Sequence, residues 1–325
     1  MMHKISQQMG DFDCFFTPFY ADGIIGVAAK AGLTDFSILG GRHRKATESY
    51  LQENRLQVDF GGKGRKYDLV VTCTDLVIQK NIRNTKIVLV QEGMTEEENF
   101  LYFLVRYLKF PRFLANTAAT GLSNTYDVFC VASQGYRRLF ERKGVNPDKI
   151  IVTGIPNFDN IIEYTHNNFP LHDYLLVATS SIRETMKFDY REHFLQKVKE
   201  IAGDQQIIFK LHPNENLHRA TREIRKYFPD DLIVQDGNVH QMIANSKMLI
   251  AQSSSVIFTA LVLGKEVYSY LDHNMLQQLL PLQNNGKSDE RIADVCRQLI
   301  YSPQPNPKWN RAISGKLQKK WEISS

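Results

Sequence analysis

Short apolar runs recur along the chain, each followed by a stretch whose apolar residues return at helical spacing. In the first half the runs are DCFFTPFY (13–20), FSILGG (36–41), YDLVVTCT (67–74), KIVLVQEG (86–93), YDVFCVAS (126–133) and KIIVTG (149–154). In the second half they are YLLVATS (174–180), IIFKLH (207–212), LIVQDG (232–237), MLIAQSS (248–254) and EVYSYL (266–271). Helical patterns fall between them, at 22–32, 134–144, 188–202, 216–227, 256–263 and 289–300. Strands buried on both faces read as continuous apolar runs, so this alternation predicts parallel sheets covered by helices. The polar stretch EYTHNNFPLHD (163–173) divides two such α/β halves. The expected domains are 1–165, 172–302 and a C-terminal helix in 303–325 that packs back on the first domain.

Composition narrows the class. The 325 residues carry 40 basic and 35 acidic side chains, a formal net charge of +5, with 43% hydrophobic residues. That balance is ordinary for a soluble globular protein and lacks the dense basic blocks of a nucleic-acid binder. Cys14, Cys73, Cys130 and Cys296 are scattered, with no CxxC or Cys/His cluster. They predict buried thiols in a reducing compartment, not structural zinc or a disulfide framework. No apolar run reaches the ~18 residues of a membrane span. The nearest, NFLYFLVRYLKFPRFL (99–114), contains two Arg, one Lys and Pro111. It reads as core packing with snorkelling bases, or as contact with a lipid-linked acceptor at a membrane surface. The expected location is the cytoplasm, with peripheral contact at the inner membrane face as an extension.

In doubly wound sheets ligands bind beyond the carboxyl ends of the strands, which directs attention to three corners. Ser253, Ser254 and Ser255 end one apolar run and open a helical one, as an anion site or as a plain N-cap. His212, followed by Pro213, stands at a similar corner; an imidazole there donates to a phosphate oxygen or serves as a structural hydrogen-bonder. Glu215 beside it is a cap, an orienting group or a solvated acid. Glu92, next to Gly93, is a candidate general base or a loop acid balancing the basic surface, the second being the commoner role for such a residue alone, and Asp75 is a second-choice acid or a helix cap. DFD (11–13) precedes a strand instead of following one, so no metal is expected.

The acid-Gly, His-Pro and Ser-Ser set resembles GT-B glycosyltransferases, with bacterial sialyltransferases and capsule-type Kdo transferases as the nearest echoes. QEG (91–93), HP (212–213) and SSS (253–255) match those motifs in order. RKGVNPDKIIVTGIPNFDNI (142–161) is similar to the interdomain segment of UDP-N-acetylglucosamine 2-epimerases and of CDP-glycerol glycerophosphotransferases. SSSVIFTALVLGKEVYSY (253–270) is similar to the nucleotide-phosphate helix of the latter. Together these resemblances span about residues 67 to 300. They imply two Rossmann-like domains facing each other across a cleft and a nucleotide sugar as donor, CMP-, CDP- or UDP-linked, with no tightly bound cofactor. A carbohydrate or lipid-linked acceptor is implied as well. They also imply roles: Glu92 as base, with His212 and Ser253–Ser255 on the leaving phosphate. Arg183 and Glu184 fall near the donor diphosphate, and Gly154 and Asn157 shape the hinge.

Departures order the candidates. Phe258 and Thr259 occupy the positions where the epimerases carry ribose-binding glutamates, and VATSSIRET (177–185) lacks their histidine. Glu92-Gly93 stands where the glycerophosphotransferases carry His-Gly. The expectation is therefore a metal-independent, inverting glycosyltransferase of surface polysaccharide or glycolipid synthesis, with the epimerase-like and glycerophosphotransferase-like enzymes as alternatives. The chain opens with the helical HKISQQM where GT-B enzymes open with a strand and a glycine turn. A missing first strand, or a non-catalytic nucleotide-sugar-binding protein, is the expectation attached to that departure.

Overall fold

A computed structural model describes residues 1–18, 22, 23, 26, 41–185, 188–302 and 307–323. Most of the helix expected at 22–32 and the strand expected at 36–41 lie outside the described residues. The chain forms two compact units, residues 1–159 with 284–325, and residues 160–283.

The first unit opens with α1 (Met2–Gln7), and α2 (Gly41–Glu53) follows. The run at 13–20 gives no strand of the sheet among its described residues. Phe16 instead makes an isolated bridge to Val58, donating its N–H to the Gln57 carbonyl at 2.8 Å. Four parallel strands follow in the order β1 (Leu69–Thr72), β2 (Lys86–Val90), β3 (Val128–Val131) and β4 (Ile150–Val152). Every residue of β3 is buried, as the continuous apolar run predicts. Between β2 and β3 lies α3 (Phe100–Leu108), which buries Tyr102 and Val105 against Ala115, Ala118 and Ala119. The helix α4 (Gln134–Lys143) starts where the Ser133 hydroxyl accepts the Tyr136 N–H and ends at Gly144, whose φ of +94° is open to glycine.

The second unit carries five parallel strands, β5 (Leu175–Ala178), β6 (Ile207–Lys210), β7 (Leu232–Val234), β8 (Met248–Ala251) and β9 (Glu266–Tyr268). Their spatial order is β7-β6-β5-β8-β9. The chain starts in the middle, walks outward through β6 and β7, then returns to the other side of β5. The reversal puts a topological switch point between β5 and β8. The connecting helices are α5 (Arg191–Ala202), α6 (Leu217–Arg225), α7 (Val239–Asn245), α8 (Val256–Val262) and α9 (His273–Leu279). In α5 the buried positions Arg191, Phe194, Leu195, Val198 and Ala202 form one stripe that packs on Leu175, Val177, Ile207 and Phe209.

The chain then returns to the first unit. Helix α10 (Ser288–Ile300) packs on α1, β1 and β2, and α11 (Pro307–Ile323) packs on α10 and on residues 147–149. Trp321 is buried there, its Nε1–H donating to Asp294 Oδ2 at 3.1 Å. Residues 284–302 thus lie in the first unit, where the sequence pattern assigned them to the second domain. The crossing is locked at Gly154. The Asn284 amide donates to the Thr153 carbonyl at 2.9 Å, and the Ser288 N–H donates to Asp159 Oδ2 at 2.6 Å. Gly154 has φ +76°, and a Cβ there would run into Asn284 and Ser288. Gly154→Ala is therefore expected to destabilise by about 2 kcal/mol or more and to lower Tm by about 5 °C in a thermal melt.

Among the described residues no helix is long and apolar enough to cross a membrane. None of their His, Cys, Asp and Glu side chains form a cluster able to hold a metal ion.

Candidate functional site

Three strand ends meet at the switch point of the second unit. Strand β5 runs out through Thr179 and Ser180, β6 through Leu211 and His212, and β8 through Gln252 and Ser253. The ends of β5 and β8 are tied where the Ser180 hydroxyl donates to Gln252 Oε1 at 3.2 Å. The Gln252 amide donates in turn to Asp189 Oδ1 at 3.0 Å.

His212 is held by its own backbone and by a buried carboxylate. Glu215, three residues on, turns inward and is 4% exposed. Its Oε2 accepts the His212 N–H at 3.0 Å and the Thr179 hydroxyl; its Oε1 accepts Arg191 Nη2 at 2.5 Å. Arg191 is itself buried, and it also reaches Asp189 Oδ2 at 3.1 Å and the Ser180 carbonyl at 3.3 Å. Glu215 thus binds the ends of β5 and β6 to the first residue of α5. Removing it would leave the buried Arg191 guanidinium with Asp189 as its remaining carboxylate partner and would free the Thr179 hydroxyl and the His212 N–H. Glu215→Ala is expected to cost about 3–5 kcal/mol in denaturant unfolding.

The imidazole orientation follows from the same turn. The Asn214 N–H donates to His212 Nδ1 at 3.1 Å, so Nδ1 presents its lone pair and the ring hydrogen sits on Nε2. The His-Pro-Asn corner therefore sets a half-buried ring with Nε2–H as a hydrogen-bond donor.

Ser255 precedes α8, yet its side chain makes no cap hydrogen bond. Capping does not account for that serine. Ser253 is exposed and Ser254 half-buried at the same edge of the sheet.

Arg183 and Glu184 are engaged with α6. Arg183 forms a bidentate pair with Glu223 at 2.7 and 2.8 Å, and that pairing pushes the Arg183 pKa up and the Glu223 pKa down. Glu184 pairs with Arg219 and accepts the Asn216 N–H at 3.2 Å. These contacts dock the turn at Arg183–Thr185 onto the helix.

In the first unit, Glu92 follows β2. Its backbone carbonyl accepts the Asn157 amide at 3.0 Å, and Gln91 beside it is buried between Gly93 and Ala132. Glu92 is an exposed residue, although protein packs close to its carboxyl. The resulting desolvation holds its carboxyl above the ordinary 4.5, against a smaller opposing pull from the N-terminal amine.

Asp75 has a different occupation. Its carboxylate is fully buried, with Oδ1 accepting the Gly121 N–H and Oδ2 the Ser123 N–H, both at 2.9 Å. Both oxygens clamp a turn, and neither is available as a base. Gly154 likewise serves the chain crossing described above.

The chain matches no protein-family model and no curated protein. Solved structures do resemble it. UDP-GlcNAc 2-epimerase from Neisseria meningitidis bound to UDP-GlcNAc aligns with a TM-score of 0.53 at 10% identity, covering 79% of this chain and 90% of that one. Another UDP-N-acetylglucosamine 2-epimerase aligns at 0.49 with 15% identity, over 81% and 88% of the two chains. The wall teichoic acid polymerase TagF aligns at 0.36 with 15% identity, over 76% and 70%. The fold is of the GT-B type. That likeness covers architecture alone; within it, the strand-end chemistry belongs to this chain.

Sequence reasoning singled out Glu92, His212 and the three serines. It missed Thr179, Arg191, Asp189 and Gln252, which build the corner around His212. Arg191 and Asp189 lie in a stretch that reads as an ordinary helix start, and their burial appears only once α5 is packed on the sheet. Gln252 carried a signal, being a polar residue between an apolar run and the serines.

Proposed function

We propose that the chain is an enzyme that transfers a sugar from a nucleotide-linked donor, with the donor bound at the switch point of residues 160–283. The observation that carries this reading is the His212 corner: a ring fixed with Nε2–H as donor, beside the β5/β8 crevice and Ser255, whose side chain makes no cap hydrogen bond. A switch-point crevice in an open α/β sheet is where nucleotides bind, and hydrogen-bond donors there suit a phosphate. The neighbour's UDP-GlcNAc supports a UDP-linked amino sugar as the first donor to test, ahead of CDP- and CMP-sugars.

In this reading the acceptor hydroxyl gives its proton to Glu92 as its oxygen bonds to the anomeric carbon. The bond from that carbon to the nucleotide phosphate breaks on the opposite face, which inverts the configuration. Charge growing on the departing phosphate is met by His212 Nε2–H and the hydroxyls of Ser253, Ser254 and Ser255, with no step routed through a metal. Thr179, Glu215 and Arg191 are positioning residues that hold the His212 backbone.

Calorimetric titration of the purified chain with UDP, CDP, CMP and their sugars tests the donor site. Saturable binding of one nucleotide is expected, and absence of binding to all of them overturns the reading. Product analysis then separates the chemistries. Transfer to an acceptor releases nucleotide from the donor, whereas an epimerase converts UDP-GlcNAc to its 2-epimer.

A further inference from the structure

Helix α3 is apolar nearly all round. Tyr102 and Val105 face the core, so the opposite face is Phe100, Phe103, Leu104 and Tyr107, flanked by Leu101 and Leu108. A helix with that pattern is normally enclosed, yet here Phe100 is 73%, Tyr107 72% and Leu108 63% exposed. Phe103 and Tyr107 stack in parallel, 6.3 Å apart, on the outer surface. The exposed stretch continues past the helix through Phe110, Phe113 and Leu114. Contiguous apolar surface of this extent marks a binding face.

The charges on this face decide what covers it. From Asn99 to Tyr126 the sequence has no carboxylate. Lys109 is exposed just past the helix; Arg106, exposed on its flank, lies beside Gly144, and Arg112 donates its Nε–H to the Asp75 carbonyl at 3.2 Å. Of the three glutamates before the helix, Glu96 is half-buried and Glu98, exposed, acts on the buried Lys143 behind the helix. Glu97 is exposed at the N-terminal end, away from the cations. Aromatic rings interleaved with lysine and arginine, on a single helix lying along the surface, suit an interface of acyl chains and anionic headgroups. A second copy seated across a twofold axis is the competing occupant, because it would bring Glu97 toward the partner's basic end.

We propose that the face formed by Phe100–Leu114 docks on an anionic lipid bilayer. The proposal stands independently of the donor-site reading. Each aromatic supplies apolar area at the acyl boundary, and exposed cations add attraction to an anionic surface.

Co-sedimentation with phosphatidylcholine vesicles, with and without phosphatidylglycerol, tests it, with analytical ultracentrifugation of the free protein alongside. The wild-type chain is expected to be monomeric through this face and to bind phosphatidylglycerol vesicles more tightly than neutral ones. Replacing both Phe100 and Tyr107 by Ser is expected to weaken binding at least about tenfold, and Lys109→Ser about fivefold on the anionic vesicles only. All three side chains are exposed, so thermal melts of the variants should match wild type. Three results would overturn the proposal: no vesicle binding, binding unchanged by the Phe100/Tyr107 replacement, or a dimer that this replacement dissociates.

Discussion

His212→Ala is expected to lower kcat/KM about 100-fold while leaving the fold intact. The loss corresponds to about 3 kcal/mol, the size of one hydrogen-bond donor aimed at charge that develops in a transition state. The fold is spared because the corner is held through the His212 backbone, whose N–H goes to Glu215 and Thr179, and those bonds survive truncation. The ring accepts the Asn214 N–H at Nδ1. His212→Gln is expected to recover part of the activity, since its amide can present a donor near the position of Nε2. Steady-state kinetics with the donor identified by calorimetry, together with a thermal melt, checks both. A His212→Ala variant as active as wild type would remove the leaving-phosphate role; one that unfolds would make the histidine a structural residue.

The positions of the strands were legible because parallel strands buried on both faces leave continuous apolar runs, and nine of those runs became β1–β9. Among the described residues of the run at 13–20 no strand of the sheet forms, because aromatic composition alone does not supply a neighbouring strand, and Phe16 makes an isolated bridge. Assignment of α10 to the wrong half has a similar origin. Its apolar stripe fits a sheet, but periodicity does not say which one. That choice is made at Gly154, where the missing Cβ admits Asn284 and Ser288. At the candidate site, residues that end an apolar run were visible as polar corners: Glu92, His212 and Ser253. Of the residues that orient them, Glu215 was legible as one of several alternatives, whereas Thr179 and Arg191 were not, because their burial is a consequence of packing. Asp75 shows the limit from the other side. It sits at a strand end like Glu92, and only the amides of Gly121 and Ser123 distinguish a turn clamp from a base.

Glu92→Gln is expected to reduce kcat about 1000-fold, within the range for loss of a general base, and at the same time to stabilise the protein at neutral pH. The second effect comes from the direction of the Glu92 shift. Desolvation raises its folded-state pKa above 4.5, so folding disfavours the charged form. Below the unfolded-state value both states are protonated and the full native stability is present. As pH rises through the folded-state value, the native carboxyl ionises at a cost, and stability falls relative to a neutral side chain. The advantage of Glu92→Gln in denaturant unfolding should therefore be absent below about pH 4.5, grow through the interval up to the raised pKa, and level off above it. Activity should run the other way: wild-type kcat/KM climbs as Glu92 loses its proton, and the variant lacks that limb. A variant that is both less stable at neutral pH and fully active would show Glu92 to be a structural acid, and the base would have to be sought elsewhere in the first unit.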